Sequence, residues 1–371
     1  MASLYLHMVA FNIPVPPDYG GVIDVYYKLK ALSTAGVRVI LHCFEYGRNH
    51  SKELEDLCFK VYYYPRKSGL KYLRLSDPYI VATRIAKSMP ERLLGDSFPV
   101  LFEGLHSTGE LTRCVQAKKR TLVRAHNIEH QYYGALARSE RNLSKKIFFR
   151  TEARKLKRYE SVLHKADYIL GIAKHETAYF EEKYGNALFV PPFHRFDELS
   201  SREGSGDFIL FHGDLSVSDN SAAFLSLARK ILSKTSYQVV VAGKNPSSSF
   251  RKRISPYANI RLVANPSDAE LDDLMSHAHI NLLYASQSTG IKLKLLHALF
   301  AGRHCLVNPA MVYGTGLSEL CTVAESDDAM AALLHELMNQ AFTKGEILDR
   351  KKALKEFSNR AGAEKIIRIL S

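Results

Sequence analysis

The sequence contains few cysteines, and their spacing matches no cysteine-based site. The five cysteines are scattered through 371 residues, are odd in number and form no C-x-x-C pair. This pattern suggests neither a disulfide framework nor a zinc knuckle. The chain has 13 prolines and no low-complexity tract, which excludes a largely disordered protein. We therefore expect a globular protein of a reducing, cytoplasmic compartment.

Long apolar runs are also absent. No stretch approaches the roughly 18 apolar residues that a membrane-spanning helix needs. Residues 1–10 are apolar but have no basic leader, and they run directly into Pro14, Pro16 and Pro17. This pattern predicts a first strand rather than a signal peptide.

Acidic residues are too few to balance the basic ones. The chain has 38 Asp and Glu against 51 Lys and Arg, a formal charge of +13. Such a field attracts nucleic acid, anionic lipid or a phosphorylated substrate alike. Much of the excess lies between Lys118 and Lys174, where a solvated helix face is the simplest explanation. An anionic membrane surface is an alternative partner, whereas nucleic acid is not expected because no recognised binding motif is present.

Strand-like and helix-like segments alternate through the whole chain. Strands are predicted at 4–10, 37–44, 59–64, 100–102, 121–125, 167–172, 208–211, 238–242, 260–263, 280–284 and 304–307. Helices are predicted at 21–35, within 134–165, and at 175–183, 221–232, 269–277, 290–300, 329–341, 345–358 and 361–370. This order predicts an α/β fold of two Rossmann-like doubly wound domains, with ligands in a central cleft at the carboxyl ends of the strands.

The length and one polar stretch suggest where the domains divide. A single hydrophobic core usually stops growing at roughly 250 to 300 residues, so a chain of 371 residues predicts two domains. Residues 200–207 have the composition of a linker. We therefore expect an N-terminal domain of residues 1–195, a second domain of residues 196–355, and a helix of residues 356–371 that packs back on the first.

The first candidate site follows the predicted first strand. It contains Asp18, Tyr19, Gly20 and Gly21 directly before a helix. Adjacent glycines let backbone N–H groups approach an anion at the start of a helix. A simple tight turn explains the same residues.

The second candidate lies where the strand of residues 121–125 ends. His126, Asn127, Glu129 and His130 follow it directly, and a histidine at this edge can donate a hydrogen bond or shuttle a proton. These residues also match the zinc-protease pattern H-x-x-E-H, which requires both histidines on one helical face. His126 follows the strand with no preceding helical turn, so no metal site is expected. A purely structural histidine is the alternative.

The third candidate runs from a strand into a helix. Its turn consists of five consecutive residues, Ser288, Thr289, Gly290, Ile291 and Lys292. Small residues at a helix start expose backbone N–H groups, and Lys292 and Lys294 add positive charge, an arrangement that suits a diphosphate. A capped core helix would give the same pattern.

Two further strand ends carry polar residues. Gly213 lies in F-H-G-D and Lys244 in V-A-G-K; Lys244 could pair with a phosphate or belong to an ordinary turn. The acidic pairs at 272–273 and 327–328 lie in or before helical segments, which argues against a metal-binding D-x-D site. No P-loop, G-x-S-x-G or kinase motif is present.

In the order and spacing of these motifs, the chain resembles the retaining GT-B glycosyltransferases often called family 4, which include relatives of glycogen synthase and of sucrose and mannosyl transferases. Gly20 and Gly21 resemble the family's N-terminal glycine loop, and His126 resembles the histidine beside the transferred sugar. The segment from Gly290 to Gly302 resembles the helix that cradles the donor diphosphate and ribose.

The resemblance implies transfer of a sugar from a nucleotide-sugar, with a UDP- or GDP-sugar as the expected donor, to a glycan or lipid-linked acceptor. It further implies retention of configuration, no required metal or cofactor, and a role in bacterial glycan assembly at the inner face of the membrane. His126 would be catalytic. The implied acceptor residues are Asp18, Tyr19, Asn127 and Glu129. The implied donor residues are Gly20, Gly21, Gly213, Lys244, Ser288, Thr289, Gly290, Ile291, Lys292, Lys294 and His297.

One departure leaves a second interpretation open. The two glutamates of the family's E-x7-E pattern would fall at Thr289 and His297. The second glutamate accepts hydrogen bonds from ribose hydroxyls, whereas a neutral imidazole accepts only one. The alternative is a catalytically inactive glycosyltransferase-like binding protein or partner subunit. A GT-B-like sugar-nucleotide epimerase is less favoured, because the segment from Gly290 to Gly302 resembles the transferases more.

Overall fold

The computed structural model describes residues 4–73, 76–140, 142–286 and 293–370. The chain forms two compact units: unit 1 runs to Arg195 and includes the segment from Phe357 onwards, and unit 2 is Phe196–Glu356. Both are α/β and each is built on one parallel sheet, so the predicted fold class is confirmed. None of the described helices is both long and apolar enough to span a membrane.

The sheet of unit 1 has seven parallel strands in the order β3-β2-β1-β4-β5-β6-β7. They are β1 Tyr5–Ala10, β2 Arg38–Glu45, β3 Lys60–Pro65, β4 Val100–Glu103, β5 Thr121–Ala125, β6 Tyr168–Gly171 and β7 Ala187–Phe189. The α-helices between them are α1 Gly20–Thr34, α2 Lys52–Leu57, α3 Tyr79–Ala82, α4 Met89–Leu94, α5 Leu111–Gln116, α6 Glu129–Ser139, α7 Leu143–Tyr159 and α8 Lys174–Tyr184.

The sheet of unit 2 has six parallel strands in the order β10-β9-β8-β11-β12-β13. They are β8 Phe208–His212, β9 Gln238–Gly243, β10 Ile260–Ala264, β11 Ile280–Leu283, β12 His304–Val307 and β13 Thr322–Val323. Its α-helices are α9 Ser218–Lys230, α10 Ser248–Ile254, α11 Asp268–His277, α12 Leu293–Ala301, α13 Pro309–Val312, α14 Asp327–Met338 and α15 Lys344–Leu354. The last helix of the chain, α16 Asn359–Leu370, belongs to unit 1.

Both faces of the first sheet are covered, as a parallel sheet requires. Successive side chains of a strand point to opposite faces: Leu6 and Met8 lie in a core with α1 and α16, whereas Val9 lies in the core on the other face. The same alternation places Phe211 and Leu210 in separate cores of unit 2. Strands buried on both faces explain the continuous apolar runs in the sequence.

Residues 200–207, which the sequence analysis reads as a linker, are an integral part of unit 2. The N–H of Ser200 donates to the Phe300 carbonyl at 2.8 Å, and the N–H of Gly204 donates to the Phe342 carbonyl at 2.8 Å. A Cβ at Gly206 would lie 2.3 Å from the carbonyl oxygen of His277. Glycine is therefore used here for a close backbone approach, and the linker composition has a packing cause.

Candidate functional site

Three neighbouring strands of unit 1 end at one edge of the sheet. β1 is followed by Phe11, β4 ends at Glu103 and β5 is followed by His126. The strand order reverses between β1 and β4, because β1 pairs with β2 on one side and with β4 on the other. In doubly wound sheets, ligands bind at the carboxyl ends of the strands at this switch point.

Four charged side chains, Asp24, Lys28, Glu103 and Arg124, form a buried network beneath this edge. Each is at most 2% exposed. The Nζ of Lys28 donates to Asp24 Oδ2 at 2.8 Å and to Glu103 Oε1 at 2.7 Å. The Nη2 of Arg124 donates to Asp24 Oδ1 at 2.8 Å. Two cations therefore balance two anions inside the unit.

The network keeps its two carboxyl groups ionised. Burial acts to raise the pKa of Asp24, but Arg124 and Lys28 outweigh it and hold that pKa well below its usual range. Burial also acts to raise the pKa of Glu103, and Lys28 together with the hydrogen bond from His126 lowers it. At neutral pH both groups are hydrogen-bond acceptors only.

His126 is the member of this site that reaches the surface. It is 9% exposed, and its Nε2 lies 3.2 Å from Glu103 Oε2. Since an ionised carboxylate only accepts, Nε2 carries a proton. In the neutral form of the ring, the lone pair then lies at Nδ1. The ring stands edge-on to Phe11 with centroids 5.6 Å apart. The arrangement orients an imidazole that can accept a proton or a hydrogen bond from a bound hydroxyl.

The same carboxylates could in principle hold a metal. Ligand atoms of Asp24, Glu103 and His126 all lie within 4.8 Å of one another. Lys28, however, already contacts both carboxylates at 2.8 and 2.7 Å. A divalent ion would have to share this space with an ammonium group, so the donor set fits an ion-paired network better than a metal centre.

The predicted glycine loop lies at the same edge. α1 begins at Gly20, and Tyr19 is its extended N-cap residue without a side-chain capping hydrogen bond. A Cβ at Gly21 would lie 2.7 Å from the ring of Phe11, so glycine permits this packing. Asp18 and Tyr19 are exposed, and both contact Arg48, a residue that belongs to none of the sequence motifs. Arg48 forms an ion pair with Asp18, and its guanidinium lies 5.1 Å from the centroid of the Tyr19 ring.

Asn127 and Glu129 differ in burial: Asn127 lies just before α6 and is half-buried, whereas Glu129 is the first residue of α6 and is buried. Glu129 is 4% exposed and lies inside unit 1. Burial and the neighbouring Glu176 raise its pKa to about 8, although a hydrogen bond from Asn127 acts in the opposite direction. His130, the other histidine of the H-x-x-E-H pattern, bonds instead to Glu160, with its Nδ1 2.9 Å from Oε2.

In unit 2 the structure brings two of the predicted donor motifs together. The Nζ of Lys294 donates to the Tyr284 carbonyl at 2.9 Å and lies 3.4 Å from Asn220 Oδ1. A Cβ at Gly213 would lie 3.2 Å from Nδ2 of the same asparagine. Lys244 follows β9 with its side chain exposed, and its carbonyl accepts from the N–H of Leu215 at 2.9 Å.

Of the remaining predicted donor residues, the structure describes His297 but not the residues of the turn before α12. His297, one turn after Lys294 on α12, packs edge-on against Phe196 with ring centroids 5.3 Å apart. Five predicted residues lie outside the described part of the chain: Ser288, Thr289, Gly290, Ile291 and Lys292.

Sequence comparison gives one distant relative. No known protein-family profile matches the chain. Over 318 residues the chain is 28% identical to a Klebsiella pneumoniae protein described as "Uncharacterized 44.6 kDa protein in cps region", covering 79% of each protein.

Comparison with solved structures identifies the fold. Sucrose-phosphate synthase from Thermosynechococcus elongatus matches with a TM-score of 0.66 and 14% identity, over 99% of this chain and 98% of that one. A glycosyltransferase from Rickettsia africae matches with a TM-score of 0.68 and 12% identity, over 100% and 98%. Anabaena HepE, solved with UDP and glucose, matches with a TM-score of 0.64 and 9% identity, over 99% of each chain. Each of the two units therefore has its counterpart in the GT-B fold.

Proposed function

We propose that this GT-B protein is a glycosyltransferase that moves a sugar from a nucleotide-sugar donor to a glycan or lipid-linked acceptor. The observation that carries the proposal is the match along 99% of the chain to HepE, whose structure holds UDP and glucose. The site supports it independently, because an oriented imidazole lies at the strand edge of unit 1 and a lysine lies at that of unit 2. In the proposed reaction the imidazole serves the acceptor hydroxyl and the lysine serves the donor diphosphate.

On the donor side, we assign Lys294 to the diphosphate. Two neutral oxygens, the Tyr284 carbonyl and Asn220 Oδ1, hold its ammonium group at the sheet edge. A phosphate there would gain a charge-assisted hydrogen bond, and its negative charge as a leaving group would be stabilised. Lys244, directly after β9 and two strands away from β11 in the sheet, offers a second cation. With two lysines available, the proposed reaction requires no metal.

On the acceptor side, we assign His126 to a substrate hydroxyl. Its protonated Nε2 is held by Glu103 at 3.2 Å, so Nδ1 is the atom that can accept from the hydroxyl. Gly20 and Gly21, at an uncapped helix start, provide backbone N–H groups beside it. Retention of configuration is part of the proposal, because the family resemblance implies it.

The proposed donor site is tested by nucleotide-dependent thermal stability. One of UDP, GDP, ADP, CMP and their common sugars is expected to raise the melting temperature, because saturation at about 100 Kd adds about 2.7 kcal/mol to the folded state. Lys294→Met is expected to weaken that nucleotide by about tenfold or more, since a charge-assisted hydrogen bond is lost. Lys252→Met, at an exposed lysine of α10 in the same unit, is the matched control.

His126→Ala separates chemistry from binding in the same experiment. We expect it to keep the nucleotide shift and to lose about 10²- to 10⁴-fold in release of nucleotide from the sugar donor, the range for a general acid or base. If no nucleotide shifts the wild-type protein, the enzyme assignment is wrong, and a non-catalytic partner subunit becomes the better hypothesis.

We also propose that α7 binds an anionic membrane surface. Leu143 and Ile147 are exposed on its first turns, and Arg150, Arg154 and Lys157 are exposed further along. Each basic residue near an anionic bilayer contributes about 1 kcal/mol. Changing these three basic residues to glutamine is therefore expected to weaken binding to phosphatidylglycerol-containing vesicles about 100-fold in a sedimentation assay.

The control for this assay has the same change in net charge. Lys344, Lys351 and Lys352 are exposed on α15, and their replacement by glutamine should leave vesicle binding nearly unchanged. Equal binding to vesicles without phosphatidylglycerol, or equal loss in both triple variants, would contradict the proposed surface.

A further inference from the structure

Arg84 is a buried arginine at the edge of the sheet in unit 1. It is 6% exposed. Its Nε donates to the Phe11 carbonyl at 2.8 Å, and its Nη1 donates to the Ile80 carbonyl at 2.7 Å. Within the described ranges its Nη2 has no hydrogen-bond partner. Two backbone carbonyls therefore fix the guanidinium plane and leave one of its donor groups to a ligand.

Arg66, the residue after β3, contacts the segment that carries Arg84. Its guanidinium lies 4.0 Å from the centroid of the Tyr46 ring, and its Nε donates to Thr83 Oγ1 at 3.4 Å. Thr83 directly precedes Arg84, and the charges of Arg66 and Arg84 act on each other and on His106. The contact with the Tyr46 ring holds the Arg66 guanidinium in place and uses neither of its Nη atoms.

No ionised carboxylate compensates this pair in the part of the chain that is described. Burial and then the charge of Arg66 lower the pKa of Arg84 to about 9, so Arg84 is still cationic at neutral pH. A guanidinium group keeps its charge in proteins, so two positive charges lie in this region. The acid that Arg84 influences is Glu129, whose pKa is raised to about 8; it is therefore mostly protonated. Tyr46 contacts Arg66 and Tyr19 interacts with Arg84. The acids next to these tyrosines in sequence are already paired, Glu45 with His50 and Asp18 with Arg48.

The pair adjoins the imidazole assigned to the acceptor. His106 interacts electrostatically with Arg84, Arg66 and His126, and its ring centroid lies 5.4 Å from that of Phe11, which also contacts His126. The Nδ1 of His106 is buried and has no hydrogen-bond partner among the described residues. Burial and Arg84 hold the pKa of His106 well below its usual range, so it is a neutral side chain beside two cations.

We propose that Arg66 and Arg84 bind an acidic group of the acceptor, a phosphate or a carboxylate, beside His126. The inference rests on the proposed function and narrows the acceptor to an anionic sugar or a phosphate-bearing one. Arginine suits this task because its planar donors match the geometry of both oxyanions. A neutral acceptor would leave two adjacent cations without a counter-charge, so the subsite also selects against it.

The test measures anion binding to the full chain by calorimetry. Inorganic phosphate, glucuronate and glucose are the probes, so that the two acidic groups are compared with a neutral sugar. Arg66→Gln is expected to weaken the better-bound anion by about tenfold, the effect of losing a charge-assisted contact. Glucose binding should not change. The anion that responds identifies the acidic group.

Arg92→Gln is the matched control. Arg92 also stacks on a tyrosine, Tyr62, at 4.1 Å, and is half-buried in the same unit, but it lies outside the subsite. It should change anion affinity less than about twofold. Arg84→Lys provides a second variant that keeps the buried charge, and its melting temperature shows whether it folds. It is expected to weaken the anion as well, because a lysine cannot reproduce the planar donors.

The outcomes separate this inference from the proposed function. If a nucleotide still stabilises the protein but Arg66→Gln and Arg92→Gln bind both anions alike, the subsite is wrong and the glycosyltransferase proposal stands. If the anion depends on Arg66 while no nucleotide binds, the assignment of the subsite to an acceptor is overturned.

Discussion

Replacing Lys28 by methionine is expected to lower the free energy of unfolding by about 3–5 kcal/mol, the range found when one partner of a buried ion pair is removed. Lys28 is fully buried and contacts both Asp24 and Glu103. Methionine fills a similar volume but leaves Glu103 without its main counter-charge. Urea denaturation at neutral pH measures the effect.

Two further variants show whether the loss is electrostatic. Lys30→Met changes an exposed lysine two residues away on α1 and should alter stability by less than about 0.5 kcal/mol. The double variant Lys28→Met with Glu103→Gln removes a cation and an anion together and should recover part of the loss. Glu103→Gln alone completes the comparison. If the loss of stability in the double variant equals the sum of the losses in Lys28→Met and in Glu103→Gln, the ion-pair explanation fails.

Replacing Glu129 by glutamine is expected to stabilise the protein at alkaline pH by as much as about 5 kcal/mol. The pKa of Glu129 is raised from 4.5 to about 8 on folding, and each pKa unit corresponds to about 1.4 kcal/mol. Between these values the folded state holds a proton that the unfolded state has released, so stability falls as pH rises from about 5 to about 8. Glutamine has no proton to lose and removes this slope.

The measurement compares free energies of unfolding of wild type and Glu129→Gln at pH 5.5 and pH 8.5. Glu160→Gln is a contrasting control, because hydrogen bonds from His130 and Lys183 overcome burial and lower the pKa of Glu160 to about 2. That variant should lose stability at neutral pH, since it removes an ionised group that the fold favours. A pH slope in Glu129→Gln equal to that of wild type would contradict the raised pKa.

Most strands can be predicted from the sequence, because strands buried on both faces are written as continuous apolar runs. The strand expected at 304–307 is β12, residue for residue. Gly185 follows the last residue of α8 in the left-handed conformation that a terminating glycine favours. The position of His126 at a strand end is likewise readable, because it follows a short apolar run. Local pattern is sufficient for such features.

The arrangement of charges is not readable from the sequence. Lys28 and Glu103 are 75 residues apart, and Asp24 and Arg124 are 100 residues apart. Each of them alone resembles an ordinary surface charge. Arg66 and Arg84 belong to no motif and become neighbours only when β3 and α3 meet. The linker predicted at 200–207 was wrong for a different reason. Its glycines suggested flexibility, but Gly206 instead permits a tight backbone contact.

The position of α16 also determines when unit 1 can be completed during synthesis. Ala363 and Ile366 share a core with Leu29 of α1, and a Cβ at Gly362 would lie 2.8 Å from the Phe193 ring. These residues leave the ribosome only after all of unit 2 has been made. Until then the apolar face of α1 that packs against α16 is exposed to solvent. The core of unit 1 is therefore completed only after α16 has been synthesised.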